Sequence, residues 1–139
     1  MATFIDHYSS MNAGEPINVA VGVPTLFGVI GLRTQGIAGN GGMPGGLIVD
    51  LSGNISFIGD EGSAVEISVL RGTTLGSPTI LRQIVTFAGG DETKTVAFNA
   101  QDLNAPAALQ TAYSAFVSLI TGVATRVGPE TFWGIASRS

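Results

Sequence analysis

The feature that most constrains the fold is a two-residue alternation of apolar and polar side chains, interrupted by glycine at short intervals. In AVEISVLRG, Val65, Ile67 and Val69 fall on one side of an extended chain, and Glu66 and Ser68 fall on the other. Successive side chains of a β-strand point to opposite faces, so this period predicts a strand with one face buried. TILRQIVTF and TKTVAFNA continue the alternation. The chain is therefore predicted to be all-β.

Two further segments extend this prediction with less regular patterns. The sequence TLFGVIGLRT, residues 25–34, is apolar at most positions, which fits a strand buried on both faces. Apolar residues also alternate through residues 47–57, on both sides of the sequence SGN. We interpret SGN as the turn of a hairpin, with one strand ending at Leu51 and its partner beginning at Ile55.

The sequence NAPAALQTAYSAFVSLITG, residues 104–122, is compatible with a helix or a strand. Pro106 suits the first turn of a helix, and Gly122 suits the position after its end. From Ala112 onward, however, small or polar residues and large apolar residues follow a period of two. We predict a strand from about Ala112, preceded by a helical turn or loop, with a helix over 106–121 as the alternative.

The predicted segments amount to seven or eight short strands at regular spacing, which is typical of an antiparallel β-sandwich or barrel. A chain of 139 residues is long enough for one such core. Residues 1–16 show no sustained period and end at Pro16. We therefore predict a flexible N-terminal arm over residues 1–16 and a single β-sandwich domain over residues 17–139.

The charge content limits the classes of partner. Only 12% of the residues are charged, 45% are hydrophobic, and the net charge is −4. Soluble domains carry about 25% charged residues, so we expect part of this surface to be buried against other copies of the chain. The six scattered basic residues argue against nucleic acid, whose phosphates require clustered Lys and Arg. Self-association is thus the first functional inference.

We expect neither a membrane-spanning helix nor a signal peptide within these 139 residues. Its longest apolar stretch, LFGVIGL, is far shorter than the roughly 20 residues that a spanning helix needs. The first residues lack a basic segment followed by an apolar one. Cysteine is absent, so disulfides and zinc–thiolate sites are excluded.

Residues suited to catalysis or metal binding are few. The single histidine, His7, lies in the predicted arm, and no GxSxG sequence is present, which argues against a serine nucleophile activated by histidine. Two acidic pairs, Asp60–Glu61 and Asp91–Glu92, follow similar apolar segments. Adjacent acids point in opposite directions on a strand, so we interpret both pairs as solvent-facing turn residues. We predict no catalytic residue, no cofactor and no metal site; calcium at these turns is the minor alternative.

The C-terminal segment ETFWGIAS has an aromatic residue, one intervening residue, glycine and then aliphatics. It resembles the closing strand of the trimeric jelly rolls of complement globular heads and TNF-like domains, a fold also used by exosporium and collagen-like surface proteins of spore-forming bacteria. VEISVLRGTT, TVAFNAQDLNAP and AYSAFVSLITG fall where other strands of such a domain would lie. The resemblance covers about residues 20–139 and implies a jelly-roll sandwich.

In that family the closing strand runs through the middle of the inner sheet, and the subunits meet along it. The resemblance implies that residues 132, 134 and 136 face one side, inside the sandwich or at a neighbour, and residues 133, 135 and 137 face the other. The oligomer interface that we predict comprises Tyr113, Phe116, Arg126, Phe132, Trp133 and Ile135. Three arginines could pair with acids across a subunit boundary or be ordinary strand-edge charges: Arg71, Arg82 and Arg126, with Glu66, Asp102 or Glu130 as the acids.

Together these features predict a non-enzymatic, self-assembling structural subunit, a homotrimer or larger assembly on a spore or cell surface. An exosporium, coat, appendage or similar particle is the expected setting, and the N-terminal arm is a candidate linker between subunits. The alternative is a jelly-roll module that binds glycans or a receptor. The partner expected first is a second copy of the chain.

Overall fold

The computed structural model describes residues 3–12, 17–18, 22–34, 36–89 and 92–139, and the secondary structure of this part is entirely β. Two antiparallel sheets pack face to face as a sandwich, as predicted. Eight strands have eight residues or more, in agreement with the seven or eight predicted: β1 (Thr3–Asn12), β3 (Thr25–Leu32), β4 (Leu47–Gly59), β5 (Ala64–Arg71), β6 (Thr79–Thr86), β7 (Glu92–Asp102), β8 (Thr111–Thr121) and β10 (Glu130–Arg138). Two short strands accompany them, β2 (Ile17–Asn18) and β9 (Ala124–Arg126).

The strand order is that of a jelly roll. In the first sheet, β10 lies between β1 and β4, and β7 pairs with the other edge of β4. The strand β9 continues along the same edge of β4 as β10, and β2 pairs with β9. The second sheet has the order β3-β8-β5-β6. Each sheet therefore combines strands from both ends of the chain, and the C-terminal strand is an interior strand, as the resemblance implies.

Aromatic residues from both sheets meet in the core. The rings of Phe27 and Phe98 pack edge to face with centroids 5.9 Å apart, and those of Phe57 and Phe87 do so at 6.2 Å. Phe98 also stacks on Phe132 at 6.2 Å. All five rings are buried, and burial of a side chain of this size contributes about 1.5–3 kcal/mol. The core therefore ties the C-terminal strand to the middle of the chain.

The predicted hairpin at SGN is wrong, because residues 47–59 form one continuous strand. The apolar period passes through SGN without a change of phase, and Gly53 occupies an inward position. A Cβ atom on Gly53 would lie 2.4 Å from Cζ of Phe98 and 2.3 Å from the carbonyl oxygen of Thr131. Glycine at this position therefore makes room for a neighbouring ring and backbone; it does not turn the chain.

The N-terminal segment also differs from the prediction. Residues 3–12, within the predicted flexible arm, form β1 and pair antiparallel with β10, with His7 opposite Ile135. Backbone hydrogen bonds to β10 hold this strand, and they need no apolar side-chain period, so the sequence pattern carried no signal for it. The sandwich thus includes residues 3–12. The rest of the predicted arm, residues 1–2 and 13–16, lies outside the described residues.

The strand predicted from about Ala112 is confirmed as β8, which begins at Thr111. Its inward side chains are apolar apart from the Tyr113 hydroxyl and Thr111, whose buried hydroxyl bonds to that of Thr34 at 3.0 Å, and residues 103–110 before it form a loop. Ser114 and Ser118 lie on the opposite side of the strand from these residues. The period of two was therefore the correct guide, and the helix over 106–121 is excluded.

The strand β3 is buried on one face only, contrary to the prediction. A bulge between Leu26 and Gly28 changes the phase, so that Phe27 and Ile30 point into the core. Leu26 and Val29 are then 46% and 42% exposed. The bulge is a tertiary feature, and it leaves two apolar side chains on the outer surface.

Candidate assembly surface

The C-terminal strand separates its side chains into two sets. Phe132, Gly134 and Ala136 are buried inside the sandwich, whereas Trp133 and Ile135 are half-buried on the outer face of the first sheet. This is the alternation that the resemblance implies. We call the outer surface around the single tryptophan the Trp133 face; its residues are His7, Asp50, Ser52, Asn99, Gln101, Trp133 and Ile135.

The centre of the Trp133 face is apolar and aromatic. The Trp133 indole and the His7 imidazole lie with ring centroids 6.4 Å apart and planes inclined by 51°. His7 stands opposite Ile135 in the register of β1 and β10. The sequence predicts a flexible arm over residues 1–16, so it gives no indication that His7 lies beside Trp133. Only the pairing of β1 with β10 brings it to the tryptophan.

Hydrogen-bonded polar side chains border this centre. Gln101 Nε2 donates to Asp50 Oδ1 at 2.8 Å, and the Ser52 hydroxyl donates to the side-chain oxygen of Asn99. Both bonds join β4 to the neighbouring β7. These polar groups are oriented by bonds within the sheet. An apolar centre with a polar border is the usual composition of a protein–protein interface.

Phe116 lies on the other side of the molecule, on the outer face of the second sheet. It is only 7% exposed and lines a groove of about 250 Å³ together with Pro24 and Leu75. The Arg82–Glu66 ion pair stands beside it, with nitrogen–oxygen distances of 3.0 and 2.9 Å. The three predicted interface residues on outer faces, Phe116, Trp133 and Ile135, are therefore divided between two opposite sides of the molecule.

Three of the predicted interface residues lie inside the chain. Tyr113 and Phe132 have no exposed surface, because both point into the core. Arg126 is 5% exposed and forms a two-point ion pair with Glu130, at 2.5 and 2.6 Å. Their assignment to a subunit interface is wrong: strand alternation shows which residues share a face, but not which face is turned inward.

The three arginines find the predicted acidic partners within one chain, not across a subunit boundary. Each guanidinium makes two nitrogen–oxygen bonds to one carboxylate, and the pairs are Arg71–Asp102, Arg82–Glu66 and Arg126–Glu130. Arg71–Asp102 joins β5 to β7, and Arg82–Glu66 joins β6 to β5. Arg126–Glu130 closes the short connection between β9 and β10. These ion pairs are thus part of the fold of the single subunit.

A buried polar cluster surrounds Asp102, at the end of β7. Its carboxylate accepts hydrogen bonds from Arg71, from the Tyr113 hydroxyl at 2.8 Å and from the Asn104 amide at 3.0 Å. Burial opposes ionisation of Asp102, but these donors outweigh it and hold its pKa below the ordinary value. Burial, followed by the bond to Asp102, raises the pKa of Tyr113. The tyrosine therefore keeps its proton and serves as a fixed donor.

The two acidic pairs that were considered for metal binding form no site among the described residues. Asp60 and Glu61 are exposed at the turn between β4 and β5. Asp91 lies outside the described residues. In the ranges that the structure covers, no three histidine or acidic side chains are grouped closely enough to hold a metal ion. Over the same ranges, no helix has the length and apolar character needed to cross a membrane.

No protein-family model and no curated protein sequence matches this chain. Among solved structures, it aligns with Eiger TNF from S. frugiperda at a TM-score of 0.50 and 12% identity, covering 99% of this chain and 94% of that chain. The fold is a jelly roll. A chain from infectious bursal disease virus, Gx strain, aligns at a TM-score of 0.50 and 10% identity, over 96% of this chain and 36% of that chain. A protein of Bacillus endospore appendages, described as disulfide-linked pili, aligns at 0.47 and 10% identity, over 99% and 90%. The resemblance to TNF-like jelly rolls is thus confirmed at the level of the fold.

Proposed function

We propose that this jelly roll is a non-enzymatic structural subunit that assembles with copies of itself through the Trp133 face. The observation that carries the proposal is the position of Trp133 and Ile135, on the outward side of an interior strand with a hydrogen-bonded polar border. A homotrimer or a larger array on a spore, cell or particle surface is the assembly that we infer. The resembled spore-surface proteins motivate that location.

The Trp133 face has the properties that favour burial by a protein partner. Tryptophan is enriched among residues that dominate binding energy, and charged residues are depleted from interface centres. Among the residues of this face, only Asp50 is a carboxylate, and it is already bonded to Gln101. Association would therefore bury an indole and an isoleucine without stripping water from an unpaired charge.

The low overall charge supports the same proposal. Charged residues make up 12% of the chain, about half the usual share, and three of the arginines are neutralised by acids in the same subunit. These internal pairs leave the net charge at −4, so the support comes from the small number of charged side chains and not from weak repulsion between copies. Few charged side chains would have to lose water when two copies meet.

Sedimentation velocity of the purified chain over a wide concentration range tests this proposal. We expect the wild-type protein to sediment as an oligomer and Trp133→Ser to shift it towards the monomer. Leu75→Ser is the matched control, because Leu75 is 58% exposed but lies near the second sheet. A wild-type protein that stays monomeric throughout, or a Trp133→Ser variant that assembles like the wild type, would overturn the proposal.

A further inference from the structure

A groove separates the edge strands β1 and β3, on a side of the molecule that the assembly proposal does not use. Its volume is about 550 Å³, and its lining residues are Asp6, Tyr8, Gly31, Arg33, Leu109 and Gln110. A smaller hollow of about 260 Å³ shares Tyr8, Gly31 and Gln110 and continues along Val29. We call this continuous feature the β1–β3 groove. Its size falls within the range of small-molecule sites.

The side chains of the β1–β3 groove combine four kinds of chemistry. Tyr8 is 52% exposed and offers a flat aromatic ring, and Leu109, 71% exposed, adds an apolar wall. Arg33 is exposed, and no ion pair of its guanidinium occurs in the part of the chain described. Asp6 and Gln110 supply acceptors and an amide donor. The groove thus combines an aromatic surface with one guanidinium and one carboxylate.

Bonds within the fold hold the β1 side of the groove in place. Asp6 Oδ2 accepts a hydrogen bond from the backbone amide of Arg33 at 2.8 Å, and Oδ1 accepts one from the amide of His7 at 2.9 Å. This carboxylate therefore ties β1 to the end of β3. The position of the Arg33 backbone relative to Tyr8 is set before any ligand arrives.

The opposite wall is fixed by the buried hydroxyl of Thr34. It donates to the carbonyl oxygen of Pro106 at 2.8 Å and accepts from the amide of Ala108 at 3.1 Å. These bonds anchor the loop that carries Leu109 and Gln110. The Gln110 side chain lies over Gly31, where a Cβ atom would come within 2.1 Å of Nε2. Glycine at position 31 is therefore what allows the amide to sit in the groove.

We propose that the β1–β3 groove binds a saccharide that carries a carboxylate, the class represented by uronic acids. The Tyr8 ring provides a surface for the apolar C–H face of a sugar ring. A guanidinium binds a carboxylate through two parallel hydrogen bonds, and Arg33 has both donors available. The Asp6 carboxylate then accepts hydrogen bonds from hydroxyl groups of the sugar, and the Gln110 amide donates to them. A doubly charged phosphate is disfavoured relative to a singly charged carboxylate, because the groove offers one guanidinium and the Asp6 carboxylate repels the second negative charge.

Isothermal titration calorimetry of the full chain with galacturonic acid and with glucose tests this proposal. We expect saturable binding of the uronate and binding of glucose weaker by about tenfold or more, since a charge-assisted hydrogen bond contributes about 1.5–3 kcal/mol. Arg33→Gln should remove the preference for the uronate. Tyr8→Ala should weaken both sugars, whereas Tyr8→Phe should retain them.

Two further variants make the result specific to the groove. Arg82→Gln is the control, because Arg82 is exposed on β6, at the edge of the second sheet opposite to β3. Gly31→Ala should displace Gln110 and weaken binding with little change in stability. No saturable heat with the uronate, equal affinity for glucose, or a uronate affinity unchanged in Arg33→Gln would each overturn the proposal. The readout is independent of oligomeric state, so it is separate from the assembly test.

Discussion

Arg71 and Asp102 form a two-point ion pair, with Nε to Oδ2 at 2.7 Å and Nη2 to Oδ1 at 2.8 Å. The pair joins the end of β5 in one sheet to the end of β7 in the other. The Asp102 side chain is 2% exposed and that of Arg71 is 21% exposed. Because Tyr113 and Asn104 also donate to the carboxylate, every acceptor position of this buried charge is used.

Asp102→Asn should lower the free energy of unfolding by about 3 kcal/mol, because removing one partner leaves a largely buried arginine without its counter-charge. Urea unfolding at pH 7 measures this. Asp50→Asn is the matched control: Asp50 is exposed and bonded to Gln101, so its loss should cost less than about 1 kcal/mol. Equal costs for the two variants would show that the buried cluster does not stabilise the fold.

Stability should decrease as the pH falls below about 4, the ordinary range of an aspartate. The pKa of Asp102 is lower in the folded chain than in the unfolded one, so the unfolded chain binds more protons in this interval. The contribution of Asp102 is therefore present above the unfolded-state pKa and is lost as the pH falls through the folded-state pKa.

Urea unfolding between pH 7 and pH 2 tests this, with Asp102→Asn expected to show a flatter profile. Some slope should remain in that variant, since the hydrogen bond from Arg82 also lowers the pKa of Glu66. An identical slope in the wild type and in Asp102→Asn would contradict the prediction.

Gly53→Ala should lower the free energy of unfolding by about 1–3 kcal/mol, because the new methyl group collides with the Phe98 ring and the Thr131 carbonyl. Gly76→Ala serves as the control. An added Cβ at Gly76 meets no atom within 4 Å, so stability should stay the same or rise by up to about 1 kcal/mol. Chemical denaturation of both variants measures the difference. A neutral Gly53→Ala would indicate a looser contact between β4 and β7.

The Arg126–Glu130 pair should show strong coupling in a double-mutant cycle. Arg126→Met alone leaves Glu130, which is 3% exposed, without its guanidinium and should cost about 3–5 kcal/mol. Arg126→Met combined with Glu130→Leu should cost less than either single change, because both buried charges are then gone. Thermal or urea unfolding of the four proteins provides the cycle. Additive losses would rule out this coupling.

The local pattern predicted some elements well and others not at all. Val65, Ile67 and Val69 were predicted to share a face, and they do, because side-chain direction in a strand follows from the backbone alone. At Gly53 the local pattern predicts a turn, since a glycine between polar residues has the same local signature whether it bends a chain or admits a neighbouring ring. The contact with Phe98 that distinguishes the two lies 45 residues away in the sequence.

At the Trp133 face, too, the sequence predicted one part of the arrangement and the fold alone decided the other. The sequence resemblance implies the separation of Trp133 and Ile135 from Phe132, but only the pairing of β1 with β10 brings His7 to them. Tyr113 was assigned to an interface although it lies in the core. The β1–β3 groove had no sequence signal, because its walls come from β1, the end of β3 and the loop before β8, which are far apart in the chain.

The sequence by itself determined that the chain is all-β, that its strands are half-buried and that little charge covers its surface. These are properties of composition and of a two-residue period, and neither depends on distant contacts. Only the tertiary structure decided which strands pair, which face of each is inward and which acid neutralises each arginine. Those choices depend on backbone hydrogen bonds and on filling one shared core, and both involve residues far apart in the chain.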